Sequence, residues 1–174
     1  MNKDILKLDY FTLFEIPVGY PINRAEIQEK MHQLQQQYHP DNHAADAENN
    51  AFAIAASSQI NHAYDTLNDP LERAIYLLKY LGVEIDLVHD TKFSHDFLFK
   101  QIELREAIGD AEANEDIDAL ESVEQDLKQE FNQLEKQITD KFASQEYADI
   151  IELIKQLSFY NKLLKLVNDT LCSL

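Results

Sequence analysis

The chain is predicted to be all-α, because it holds few helix-breaking residues, is rich in helix-favouring ones, and repeats its apolar side chains at helical intervals. Only three glycines and four prolines occur in 174 residues. The sequence between them is rich in Leu, Ala, Gln, Glu and Lys, which lose little on entering a helix. With 45% hydrophobic residues the chain can bury a core, as one domain or as two small ones.

Asp9 is the expected N-cap of a short helix carrying Tyr10, Leu13 and Phe14, which Pro17 and Gly19 end. Pro21-Ile22-Asn23 opens the next element, where Asn23 and Glu26 have capping-box spacing. Ile27, Met31, Leu34 and Tyr38 then mark one helical face, and the helix must stop before Pro40. After a loop rich in Asn, Ala and Asp, a second stripe runs through Phe52, Ala56, Ile60, Ala63 and Leu67, ended by Asn68-Asp69-Pro70. Asp69 as N-cap with Pro70 at the first helical position restarts the chain. Leu71, Ala74, Ile75, Leu78 and Leu81 form a short apolar helix with Gly82 at its end.

Residues 83–93 show no clear periodicity and contain His89-Asp90-Thr91, so they are expected to connect a module at 1–82 to one at 94–174. In the second module three helices are expected, at roughly 95–109, 116–142 and 146–171. Ile117, Leu120, Leu127, Phe131, Leu134 and Ile138 lie on a seam of threes and fours that antiparallel neighbours would bury, with Glu124 as a polar break. On the first of these helices Phe97, Leu104 and Ile108 share the core face, whereas Leu98, Phe99 and Ile102 lie opposite, beside Glu103 and Glu106. On the last helix Ile150, Ile154, Leu157 and Leu164 form the core stripe, and Phe159 is expected to project away from it. These surplus apolar residues either pack inside the molecule or form a binding patch rimmed by carboxylates.

Charge and motif content narrow the function. Lys and Arg total 15 against 32 Asp and Glu, and the net charge of −17 repels phosphate backbones, so nucleic acid is not an expected partner. The acidity is concentrated after residue 80, with 9 basic and 21 acidic side chains against 6 and 11 before it. A lone cysteine, Cys172, excludes an internal disulfide and a Cys-x-x-Cys knuckle, and fits a reducing compartment. No apolar signal core follows Met1 and no stretch reaches about 20 apolar residues, so a cytoplasmic protein without a membrane span is expected. His32, His39, His43 and His62 lack ligand spacing, and neither a metal site nor a cofactor is expected. Gly-rich phosphate loops, Gly-x-Ser-x-Gly and His-Glu-x-x-His are absent from the sequence, which gives no support for an enzyme.

The most informative segment is Gln37-Tyr38-His39-Pro40-Asp41-Asn42. Pro40 pushes His39 out of helical geometry and presents its imidazole on a stiffened loop, with the anionic Asp41 next to it. Taken alone this is a polar turn. Between two amphipathic helices, and after Tyr10-Phe11-Thr12-Leu13-Phe14, it resembles the J-domain family. That resemblance implies that His39, Pro40 and Asp41 dock on the ATPase domain of a DnaK-type chaperone and trigger hydrolysis there, with Asp41 meeting an arginine. Members of the family commonly have a basic second helix and Lys or Arg after the tripeptide. Here Asn42 follows it, and Arg24 and Lys30 are the only basic residues between Pro21 and Asp41.

Pro70-Leu71-Glu72-Arg73-Ala74-Ile75-Tyr76-Leu77-Leu78, Phe97 through Glu106 and Phe159-Tyr160-Asn161-Lys162-Leu163 are similar, in order, to segments of the HscB family. The resemblance implies an all-α co-chaperone with an N-terminal J domain, whose helical hairpin is followed by a C-terminal three-helix bundle. It also implies that the bundle binds the iron-sulfur scaffold IscU through Leu98, Phe99, Ile102, Glu103, Glu106 and Phe159. The scaffold would be delivered to the DnaK-like chaperone HscA, whose ATPase is stimulated. Phe99 departs from the Met or Leu usual at that place. A general J-domain adaptor for another client is the alternative, and client pull-down discriminates the two.

Overall fold

The computed structural model describes residues 3–43, 47–85 and 93–174. Its described residues form seven α-helices and two short 3-10 turns, with no strand among them. Tertiary contacts divide the chain into two compact units, Met1–Leu81 and Gly82–Leu174. Of the expected connection at 83–93, residues 86–92 lie outside the described residues.

The first unit contains α1 (Tyr10–Leu13), α2 (Arg24–Tyr38), α3 (Ala47–Asn68) and α4 (Pro70–Tyr80). Asp9 caps α1, its carboxylate accepting from the Thr12 backbone N–H at 3.0 Å and the Thr12 hydroxyl at 2.6 Å. Burial works to raise the Asp9 pKa, but these hydrogen bonds outweigh it and hold the carboxyl below its ordinary value. The Tyr10 N–H donates to the Tyr76 hydroxyl at 2.9 Å and the two rings stack at 4.3 Å, which ties this single turn to α4. Asn23 caps α2 by accepting from the Ala25 N–H at 3.1 Å. Glu26 does meet Asn23, but through the Asn23 side-chain amide at 2.8 Å rather than in a reciprocal capping box.

Ile27, Met31, Leu34 and Tyr38 of α2 are all buried, as are Ala53, Ala56, Ile60, Ala63 and Leu67 of α3. The alanines let the two helices approach closely as an antiparallel hairpin. Phe52, expected at the start of the α3 stripe, is only half-buried, with its ring 6.3 Å from Tyr38. Helix α3 begins at Ala47, inside the stretch expected to be loop. Glu48 in its first turn suits the positive end of the helix dipole. Asp69 ends one helix and caps the next, accepting from the N–H groups of Leu71 at 2.8 Å and Glu72 at 3.0 Å. Leu71, Ala74, Leu77 and Leu78 of α4 are buried; Leu81 is exposed because the helix has stopped at Tyr80, and Gly82 takes a φ of +77° beyond it.

Arg73 is the most buried cation among the described residues of this unit. Its Nη1 donates to the Leu67 carbonyl at 2.7 Å, in the last turn of α3, and its guanidinium lies 4.7 Å from the centroid of the Tyr20 ring. One side chain therefore joins the end of α3, the start of α4 and the segment before α2. Arg73→Ala should cost about 3 kcal/mol through loss of a charged hydrogen bond and a desolvated cation–π contact, read from urea unfolding.

In the second unit α5 (His95–Ala113), α6 (Ile117–Ser144) and α7 (Tyr147–Ser173) form an antiparallel bundle. Ser94 caps α5 by accepting from the Phe97 N–H at 3.2 Å, and Asp116 caps α6 by accepting from Ala119 at 3.0 Å. Helix α5 runs past the expected end at 109 because Ala111 prolongs the buried face of Ile108, and the Asn114 amide closes it on the Asp110 carbonyl at 2.7 Å. Leu120, Leu127, Leu134 and Ile138 of α6 are buried and Phe131 is half-buried, whereas Ile117 is exposed at the helix's first residue. Glu124, the polar break in the seam, is paired with Lys128 at 2.7 Å. Helix α7 buries Ile150, Ile154 and Leu157 and leaves Leu164 half-buried.

The reversal between α6 and α7 is made by Gln145, whose φ of 59° is left-handed. The Glu146 N–H bonds back to the Lys141 carbonyl at 3.0 Å, closing a Schellman-type cap. Across the same turn the Lys141 ammonium contacts Asp149 at 2.6 Å and Glu146 at 2.5 Å, and those hydrogen bonds push its pKa up. A side chain in left-handed geometry is strained, so Gln145→Gly should stabilise the bundle by about 0.5–1 kcal/mol, measured as a raised denaturant midpoint at unchanged m-value.

Candidate functional site

Two features stand out, one in each unit. At the end of α2 the last helical residue, Tyr38, is buried, so it anchors the turn beyond it. His39 is extended, with φ −63° and ψ 129°, as a residue before proline should be. Pro40–His43 form a 3-10 turn. Asp41 projects into solvent with 89% of its side chain exposed, and His39 is about half exposed. The Asp41 N–H donates to His39 Nδ1 at 3.3 Å, so Nδ1 serves as an acceptor and Nε2 is the ring nitrogen left to donate. Nδ1 is also 3.7 Å from an Asp41 carboxylate oxygen, so the imidazole and the carboxylate lie side by side on the turn.

An open groove of about 630 Å³ runs beside this turn, between α2 and α3. Its lining, His32, Gln35, Gln36, His39, Asn42, Ser57 and Asn61, contains amides, imidazoles and a hydroxyl but no carboxylate, Lys or Arg. Lys30, one of two basic residues on α2, is engaged by Glu15 at 2.7 Å. The exposed formal charge of the turn is therefore the negative one on Asp41. One interaction here escapes a reading of residue types: the Asn42 side-chain amide donates to the Gln36 carbonyl at 2.9 Å.

In the second unit, Leu98, Phe99 and Ile102 of α5 are 41%, 66% and 53% exposed, and Glu103 and Glu106 share their face. Phe97, Leu104 and Ile108 point the other way and are half or fully buried. Five of the six expected client-binding residues thus form one apolar surface with a carboxylate rim. Phe159 does not project outward as expected; it is 8% exposed. Its ring packs edge-on to Phe97 at 5.5 Å and to Tyr160 at 5.6 Å, with the Arg105 guanidinium 5.9 Å away. The reason is that α7 is covered by α5 as well as by α6, so a residue off the α6-facing stripe is buried by the third helix.

Nearby, Lys100 lies 3.7 Å from Glu130, and burial together with the Glu130 charge pushes the Tyr160 hydroxyl up to about 12. Among the described residues no three or more His, Cys, Asp or Glu side chains gather as a metal-binding group. The His43 side chain, one of four histidines weighed as ligands, lies outside the described residues. No helix of the described residues is long and apolar enough to cross a membrane.

Phe159 therefore belongs to the bundle core and Leu98 to the exposed surface. Phe159→Ala should destabilise the bundle by about 3 kcal/mol because it empties a packed aromatic site, whereas Leu98→Ala should change stability by less than about 0.5 kcal/mol. Urea denaturation of the two variants side by side measures the difference.

A short helix, a long antiparallel hairpin with His-Pro-Asp at its turn, and a separate three-helix bundle define a J-domain co-chaperone. Residues 9–76 match the DnaJ domain model and residues 94–168 match that of the HSCB C-terminal oligomerisation domain. The chain belongs to the HscB family of co-chaperones. An HscB homologue of Neisseria meningitidis is 35% identical over 155 residues, covering 88% of this chain and 93% of that protein. The chaperone HscB from Vibrio cholerae superposes with a TM-score of 0.83 at 31% identity, over 93% of this chain and 96% of that one. The crystal structure of human co-chaperone protein HscB gives 0.89 at 25% identity, over 96% of this chain and 84% of that one.

Proposed function

We propose that this protein is a two-ended adaptor of iron-sulfur cluster assembly in the cytoplasm. It recruits the scaffold IscU through residues 94–174 and activates the DnaK-type chaperone HscA through residues 1–82, with 83–93 as the connection. The observation that carries the reading is the pairing of two accessible features in one chain: the exposed Asp41 beside His39, and the exposed Leu98-Phe99-Ile102 surface rimmed by Glu103 and Glu106. The carboxylate of Asp41 has the charge and exposure to meet an arginine of the ATPase domain, and His39 and Pro40 set its position. The ATP chemistry belongs to the chaperone. This chain favours the chaperone's hydrolysis-competent state by binding that state more tightly. Carrying the client raises its local concentration at the chaperone.

The apolar surface supplies the client contact. Leu98, Phe99 and Ile102 lose water when covered, Glu103 and Glu106 orient the client through its cations, and Phe159 holds α5 in the bundle through Phe97. The deciding experiment is the HscA ATPase rate with this protein, with IscU, and with both. A more than additive rate is expected, and additive rates with no scaffold binding would point to a different client. Asp41→Asn should abolish stimulation with helicity unchanged, because truncating one partner of an interfacial charge pair costs about 2–5 kcal/mol. Leu98→Ala combined with Phe99→Ala should weaken IscU binding at least about tenfold, by loss of apolar area, and leave stimulation without scaffold intact.

A further inference from the structure

Resting on the proposed role of the tripeptide, we infer that Asn42 is a positioning residue that sets the presentation of His39-Pro40-Asp41. In an α-helix each carbonyl accepts from the N–H four residues on. For Gln36, in the last turn of α2, that residue is Pro40, which has no N–H to offer. The proline that ends the helix therefore leaves the Gln36 carbonyl without its helical donor at the edge of the turn. The Asn42 side-chain amide supplies the replacement, donating to Gln36 O at 2.9 Å, while the Asn42 backbone N–H donates to the His39 carbonyl at 3.0 Å.

With these two bonds Asn42 closes a ring of main chain from Gln36 to its own Cα, with His39, Pro40 and Asp41 inside it. The Asp41 N–H is already committed to His39 Nδ1. The main chain that carries His39 and Asp41 is thus tied to the last turn of α2, and the Asp41 carboxylate is presented to solvent from it. Because Lys30 is engaged by Glu15 and the adjoining groove carries no cation, attraction to an acidic partner surface contributes little here. The turn depends instead on being held in its binding geometry before the partner arrives, which is where a local clasp acts.

The test uses the full-length chain with its DnaK-type chaperone. Asn42→Ala removes the amide, and Asn42→Asp keeps its shape but replaces the donor with an acceptor. Both should raise the co-chaperone concentration for half-maximal ATPase stimulation about five- to tenfold, the size expected for losing one hydrogen bond at a site that must be ordered to bind. Asn42→Asp should be at least as severe as Asn42→Ala, since a carboxylate would face the Gln36 carbonyl. Far-ultraviolet circular dichroism and the unfolding midpoint should match wild type, and the carbonyl carbon resonance of Gln36 should move in both variants.

Asp41→Asn is measured alongside. If it retains stimulation, the reading of the tripeptide itself fails. If Asp41→Asn is inactive while both Asn42 variants stimulate like wild type, the positioning role is overturned and the tripeptide reading stands. A Gln36 resonance that does not move, or a loss of stimulation that simply tracks a loss of helix, also overturns it.

Discussion

The contact on which each unit depends is an antiparallel helix hairpin that buries one apolar stripe from each partner. In the first unit Ile27, Met31, Leu34 and Tyr38 are buried with the small-residue face Ala53, Ala56, Ile60, Ala63 and Leu67. In the second, Leu120, Leu127, Leu134 and Ile138 are buried with the α7 stripe through Ile150, Ile154 and Leu157. Neither pair of helices would be stable without the other member, because helical propensity alone gives marginal structures in water. The two hairpins turn by different chemistry. Pro40 forbids α2 to continue, whereas Gln145 accepts a left-handed backbone and a Schellman-type cap.

The two turns differ accordingly in what they leave exposed. The α6–α7 turn is closed locally: the Lys141 and Phe142 carbonyls are capped by backbone N–H groups, and the Lys141 ammonium is held by Glu146 and Asp149. At the α2 end the proline leaves a carbonyl to be satisfied and places an imidazole and a carboxylate outside the packed hairpin. The buried Tyr38 immediately before them supplies the rigid base. Rigidity beneath and polarity above are what a surface needs if it is to bind without first being ordered at a cost.

The second unit has an exposed apolar surface because α5 carries more apolar residues than the bundle buries. Helix α5 uses Phe97, Leu104, Ile108 and Ala111 against its neighbours and still carries Leu98, Phe99 and Ile102 on the far side. Folding of this bundle gains little from three large side chains that stay largely in water. Phe159 sits at the border of the two regimes, buried with Phe97 and Tyr160 yet within reach of Arg105.

The sequence by itself determined the fold class, the capping residues of α1, α2 and α4 and most of the inward faces, because period, caps and prolines act over three or four residues and are written in residue types. Asp9, Asn23 and Asp69 cap the helices they were expected to cap. It also determined that Leu98, Phe99 and Ile102 lie opposite the core face of their helix, since that is geometry internal to one element. Only the tertiary structure decided what depends on a second partner. A single-helix projection counts one neighbour, so Phe159 read as outward until α5 covered it, and Phe52 and Leu81 read as core although one is half-buried and the other comes after a helix that had already ended. Asn42 read only as a missing charge. Its bond to Gln36 exists because a proline two residues earlier withholds an N–H and the 3-10 turn folds the amide back to the helix end, a relation that three-dimensional closure creates and residue type does not show.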